Sequence, residues 1–278
     1  MTHRVDEIFA TLRAEGRKGL IPFVTAGYPS LQATAAVIGA FEESLGPTVV
    51  ELGIPFSDPI ADGPVIAASM HEALHCGVTP QAVFDTVRSL RPDTGHALVA
   101  MVSASIVERM GPDRFVALAA ESGFDGLIVP DLDVSGSAGR LDEITARHGL
   151  ALTMLVAPNT PAGRVASIAS RCTGFVYVLA RVGLTGERTS LPDVSARVQA
   201  VRNVTGRPIA VGFGISRPEQ VAAATRTADA AIVGSAIVRR MGRAADPAAA
   251  AAEFAAELAA GLPSGNGSPA AGLSSPPE

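Results

Sequence analysis

The sequence predicts a closed (β/α)8 TIM barrel, an α/β fold of eight parallel strands each feeding a helix, and three observations carry that reading. Continuous apolar runs recur eight times along the chain, as strands buried on both faces require. Segments with helix punctuation separate them, which calls for parallel strands joined by crossover helices. The eight units end near residue 245, close to the roughly 250 residues of this barrel, whereas an open doubly wound sheet shows edges and fewer strands.

In chain order, the opening residues MTHRVDEIFATLRAEGRKG lack the uncharged apolar run of a signal peptide. The first strand is 20–25, and Ser30 then caps the helix LQATAAVIGAFEESLG. The next strands are 49–54, 97–103 and 126–131, with Pro112 opening the helix PDRFVALAAESG between the last two. Runs 151–157, 175–181, 208–213 and 230–234 supply the remaining strands, and Pro218 opens the helix PEQVAAATR. Residues 1–245 are thus read as the catalytic barrel. Residues 246–278 are read as an Ala-rich helix followed by a Gly/Pro/Ser tail that has almost nothing to bury and is expected to be disordered.

Composition narrows the function classes. With 47% hydrophobic and 18% charged residues the chain can bury a core. Its 22 basic and 27 acidic residues give a net charge of −5 without a basic stripe, which argues against nucleic acid. No apolar stretch approaches the ~20 residues of a membrane span. Cys76 and Cys172 form neither a disulfide framework nor a Cys-x-x-Cys pair. The expectation is a cytoplasmic protein with reduced thiols.

In this fold, chemistry belongs at the C-terminal ends of the strands. The segment ELGIPFSDPIADGP, residues 51–64, puts Glu51 inside the second strand and Asp62 in the loop that follows. A charged, unpaired Glu in an apolar strand costs several kcal/mol, so a raised pKa or a partner must account for it, and general acids are made that way. Asp58, within Ser-Asp-Pro, also reads as a turn former. Gly212-Phe213-Gly214-Ile215-Ser216 after the seventh strand and Gly234-Ser235 after the eighth each open a helix. Two glycine loops after adjacent strands fit a phosphate site, with backbone N–H groups facing the anion. The sixth strand runs into a Gly-punctuated polar loop in which Thr185 and Gly186 are candidate ligand contacts.

Two further patterns are weighed and set aside. His71-Glu72-Ala73-Leu74-His75 has zinc-type spacing but lies on the helix after strand two, away from the strand mouths, with no third ligand at a strand end. It is read as a solvated helix face. The single lysine, Lys18, precedes the first strand and so lies at the wrong end for an imine. No His/Asp/Glu cluster suggests a metal, and neither a metal nor an organic cofactor is expected. Acid–base chemistry by Glu51 and Asp62 on a phosphorylated small molecule remains.

These segments, together with PFVTAGYP at 22–29, Leu184-Thr185-Gly186 and Gly234-Ser235-Ala236-Ile237-Val238, resemble the tryptophan synthase α subunit family over about residues 5–245. The resemblance implies retro-aldol cleavage of indole-3-glycerol phosphate to indole and glyceraldehyde 3-phosphate. It assigns Glu51 as the general acid–base and Asp62 as the group that stabilises charge on the indole N–H. It gives Phe23 and Tyr177 as indole-pocket residues, Thr185 as a lid contact, and Gly186, Gly214, Gly234 and Ser235 as phosphate binders. It implies a β-subunit partner met near Pro55, Asp58 and Pro59. The chain departs from the family's pattern where a Tyr and an Asn two apart usually end the third strand, reading Val102-Ser103-Ala104-Ser105 instead, and where Asp133 replaces a proline after Pro130-Asp131-Leu132. These departures motivate one alternative, a free-standing lyase that releases indole; a non-catalytic regulatory subunit that binds phosphate ligands and activates a β partner is a second, from a different class. A sugar-phosphate isomerase on the same scaffold is the remaining enzyme reading.

Overall fold

The computed structural model describes residues 3–59, 62–132, 138–180, 192–212 and 214–263. Its strands are β1 (Gly19–Thr25), β2 (Val49–Gly53), β3 (Ala97–Met101), β4 (Gly126–Ile128), β5 (Ala151–Val156), β6 (Val176–Leu179), β7 (Ile209–Gly212) and β8 (Ala230–Val233). All pair in parallel with their sequence neighbours, and β8 returns to β1, so the barrel closes. Closure removes every sheet edge.

Helix α1 (Arg4–Ala14) precedes β1, α2 (Leu31–Leu45) follows it, and α3 (Pro64–His75) and α4 (Pro80–Leu90) follow β2. Helices α5 (Ala104–Met110) and α6 (Pro112–Ser122) follow β3, α7 (Ala138–Arg147) follows β4 and α8 (Ala162–Arg171) follows β5. Helices α9 (Ser195–Arg202), α10 (Pro218–Thr225) and α11 (Ser235–Met241) follow β6, β7 and β8, and α12 (Pro247–Ala259) ends the described chain. The predicted starts hold: the Ser30 hydroxyl accepts from the Ala33 amide, and Pro112 and Pro218 open α6 and α10.

Two apolar layers follow from strand alternation. Outward side chains such as Val50, Leu52, Leu98 and Val211 meet the helices, while Ile21, Val49, Val99, Ile128 and Phe175 fill the interior. Val5, Ile8 and Phe9 of α1 join the inner cluster, and Phe9 meets Phe175 at 5.8 Å between ring centroids, closing the floor. Helix α12 packs against α2 with Ala251, Phe254, Ala255 and Leu258 buried, so core packing continues past residue 245. Phe254 and Leu258 together bury enough to hold the helix, each contributing roughly 1.5–3 kcal/mol. Among the described residues no helix is long and apolar enough to cross a membrane.

All strands but β1 stop short of the apolar runs that predicted them, β3 and β4 among them. β3 ends at Met101 and β4 at Ile128, yet Val102 and Val129 beyond them are still buried. Ser103 leaves the ladder because its hydroxyl caps α5.

The floor carries one device twice. Asp125, just before β4, accepts from the Leu98 amide at 2.8 Å and pairs with Arg91 at 2.9 Å. Asp229, just before β8, accepts from the Ile209 amide at 2.9 Å and pairs with Arg202 at 2.7 Å. Lys18 lies 3.4 Å from Asp229, which places it at this floor.

Candidate active site

On β2, Val49 lies in the inner cluster while Val50 and Leu52 lie in the outer one. The alternation therefore turns Glu51 inward, opposite Phe23 of β1 and Val99 of β3 in the ladder. Its side chain is fully buried, and neither carboxyl oxygen has a hydrogen-bond partner among the described residues. Burial alone pushes its pKa well above the ordinary carboxylate range. Ionised, it would bear the full desolvation cost, so it is held as the neutral acid.

Phe23 and Tyr177, each 4% exposed, enter the interior at the same end of the barrel. Three strand-end glycines make room for them. A Cβ at Gly53 would lie 2.5 Å from the Phe23 ring, and one at Gly234 3.3 Å from it. A Cβ at Gly212 would lie 2.4 Å from the Tyr177 hydroxyl oxygen. Ile66, Met70 and Val238 back the Phe23 ring. Burial raises the Tyr177 hydroxyl well above its usual pKa, and Glu51 and Asp62 raise it further wherever they are ionised. Both carboxyl groups therefore act on one phenol.

Asp62 lies on the segment between β2 and α3, with its amide donating to the Pro59 carbonyl at 3.1 Å. Burial raises its carboxyl to about 6. Pro55 is buried, Asp58 is exposed, and Pro59 is partly exposed on the same segment. The Ser57 hydroxyl donates to Asp58 at 2.7 Å. His71 corrects one expectation: it is exposed on α3 but not remote from the mouth, because its Nε2 lies 3.0 Å from the Ser57 carbonyl oxygen. Glu72 and His75 are exposed, and no group of three His, Cys, Asp or Glu among the described residues could hold a metal ion.

Gly214, just after β7, has φ +87°, a left-handed conformation that glycine adopts without strain. Beyond it the Ser216 amide donates to Gln220 at 2.8 Å, which fixes the loop's path. Gly234 lies between β8 and α11, followed by Ser235, 9% exposed at the first position of α11. The two glycine loops are thus adjacent at the mouth, and Gly234 also gives the Phe23 ring its space. Thr185, Gly186 and Phe213 lie outside the described residues.

The tryptophan synthase alpha chain family model matches residues 9–263. The chain belongs to this family. The alpha chain of Prochlorococcus marinus (strain MIT 9313) is 45% identical over 243 residues, 87% of this chain and 88% of that one. Among solved structures, Mycobacterium tuberculosis tryptophan synthase superposes with a TM-score of 0.86 at 33% identity, covering 94% of this chain and 98% of that chain. The alpha subunit of Legionella pneumophila str. Paris gives 0.85 at 32% identity, covering 94% and 98%.

At the ends of β3 and β4 the residues form a hydrogen-bonded cluster. The Ser103 hydroxyl donates to Asp131 at 2.8 Å and lies 2.9 Å from the Ser105 hydroxyl, while the Ala104 amide donates to the other Asp131 oxygen at 2.8 Å. Asp133 lies outside the described residues. Sequence reasoning passed over Met101, packed against both interior clusters, and read Gly212 only as part of a phosphate loop and Gly53 not at all, missing that both make room for a ring. A glycine at the end of a buried strand was the available signal, since it marks a close approach.

Proposed function

We propose that this chain is the α subunit of tryptophan synthase, acting in the cytoplasm in tryptophan biosynthesis. It cleaves indole-3-glycerol phosphate to indole and glyceraldehyde 3-phosphate. The observation that carries the mechanism is Glu51, buried and without a hydrogen-bond partner among the described residues, beside a phenol that also feels Asp62.

The neutral Glu51 acid protonates C3 of the indole, and the ring nitrogen takes up the positive charge. Asp62, with its carboxyl at about 6, is largely ionised at neutral pH and accepts the hydrogen bond of that N–H. Such a charge-assisted bond is stronger in the transition state than in the substrate, as catalysis requires. Glu51, now a carboxylate, removes the proton of the hydroxyl next to the ring. The bond between C3 and the glycerol carbon breaks, its electrons return to the ring, and the aldehyde leaves. The acid and the base are one group, so Glu51 ends as it began.

Phe23 and Tyr177 bound the aromatic ring. Gly214, Gly234 and Ser235, with Gly186 and Thr185 of the sixth loop, take the phosphate and the closing contact; loops after the seventh and eighth strands serve that purpose in barrels of this kind. A β subunit meets the segment carrying Pro55, Asp58 and Pro59 and takes the indole. The fold and the relatives lend no support to the free-standing or regulatory readings.

Steady-state indole release from indole-3-glycerol phosphate tests this, with and without an added β subunit. Turnover that rises on adding the β subunit and is lost in Glu51→Gln is expected. No turnover in either condition refutes the assignment.

A further inference from the structure

The rim of the barrel at β3 and β4 is built to hydrogen-bond something. Val99 and Met101 pack in the interior and Val102 in the outer layer. Ser103 keeps extended backbone, φ −67° and ψ 141°, so the alternation brings its side chain back to the inner side. Its hydroxyl holds the Asp131 carboxylate at 2.8 Å, which puts that carboxylate on the inner rim.

Capping accounts for only part of this arrangement. The Ser105 amide is served by the Ser103 oxygen and the Ala104 amide by Asp131, so the start of α5 is satisfied. A carboxylate accepts about four hydrogen bonds, and Asp131 receives two from this cluster. Acceptor capacity is left at the mouth, and Asp131 is exposed.

In the closed order β1 to β8, the β3–β4 rim stands opposite the β7–β8 loops. A substrate whose phosphate lies at β7–β8 and whose reacting carbon faces Glu51 extends its aromatic ring toward β3 and β4. Resting on the proposed reaction and phosphate site, we infer that Ser103 and Asp131 are specificity residues for the far edge of that ring. They favour an indole whose benzo ring carries a hydrogen-bond donor, a hydroxyl or an amine.

The test runs the reaction in reverse, condensing glyceraldehyde 3-phosphate with indole, hydroxyindoles and the matching methoxyindoles on the full chain. Hydroxy and methoxy groups both donate electrons to the ring, but only the hydroxyl donates a hydrogen bond. At one ring position or more, kcat/KM is expected to favour hydroxy over methoxy by about tenfold, a modest ratio because the rim stays partly hydrated. Asp131→Asn and Ser103→Ala are each expected to pull that ratio toward one, and comparing the same substrates on wild type and variant cancels their intrinsic reactivity. Hydroxy-to-methoxy ratios within about twofold at every position overturn the inference without any variant, as does a ratio kept in both variants. Failure to condense indole itself refutes the lyase assignment first, and the inference with it.

Discussion

Replacing Glu51 by Gln is expected to make the protein more stable and nearly inactive at once. Glu51 is buried, lacks a hydrogen-bond partner among the described residues and is raised well above its ordinary 4.5. The folded state therefore keeps a proton that the unfolded chain releases above that value. The sign follows: wild-type stability falls as pH rises from about 4.5, at up to 1.4 kcal/mol per pH unit, until the folded carboxyl itself ionises. If it is still neutral at pH 7, the accumulated cost is about 3 kcal/mol. Gln has nearly the same shape and does not titrate, so the substitution removes this cost and leaves the buried polar group otherwise similar. Urea unfolding of wild type and variant at pH 5, 6 and 7 measures the difference, and the contribution of Asp62 cancels between them. The stability gap should be small at pH 5 and widen toward pH 7, while indole release drops by roughly 10²–10⁴-fold. Equal pH slopes, or a variant less stable at pH 7, would refute the picture of a neutral buried acid.

Asp62, with its carboxyl at about 6, must be ionised to act, so kcat/KM should rise with pH through about 6 and fall again at higher pH as Glu51 loses its proton. Asp62→Asn should lower kcat/KM by about 10²-fold and flatten the lower limb, read from the pH–rate profiles of both proteins. Gly212→Ala forces a methyl to within 2.4 Å of the Tyr177 hydroxyl oxygen, and should cost about 1–3 kcal/mol in urea unfolding and weaken indole binding; a neutral result would mean that the ring moves aside freely. His71→Ala removes the 3.0 Å contact to the segment carrying Asp62. It should lower kcat/KM about fivefold, with partial recovery in His71→Gln, whose amide can still donate to the carbonyl.

The strands were legible because a parallel barrel strand is apolar on both sides and reads as an unbroken run. Their ends were less so. Val102 and Val129 are as buried as the strand residues before them, and hydrophobicity does not stop where the hydrogen-bond ladder does. Glu51 stood out as a carboxylate in an apolar strand, and the structure shows how completely its burial isolates it. That Gly53 and Gly212 make room for the rings was silent in the sequence because this contribution is the absence of a side chain, visible only once Phe23 and Tyr177 are seen beside them. His71 was assigned to a solvated face from its place along the helix, which says nothing about a loop that folds back over it.

Asp125 and Asp229 stand before β4 and β8, at opposite points of the ring, each capping an amide of the preceding strand and pairing with an arginine. Both lie at the N-terminal ends of the strands, and Glu51, Asp62 and the glycine loops lie toward the other. The clamps thus offer a way to set heat resistance without touching turnover, which a change at Glu51 or Gly212 does not. Loosening either floor clamp should shift the melting temperature while the rate per folded molecule stays where it was, so a barrel of this kind can follow its host into a warmer or colder habitat with its chemistry intact.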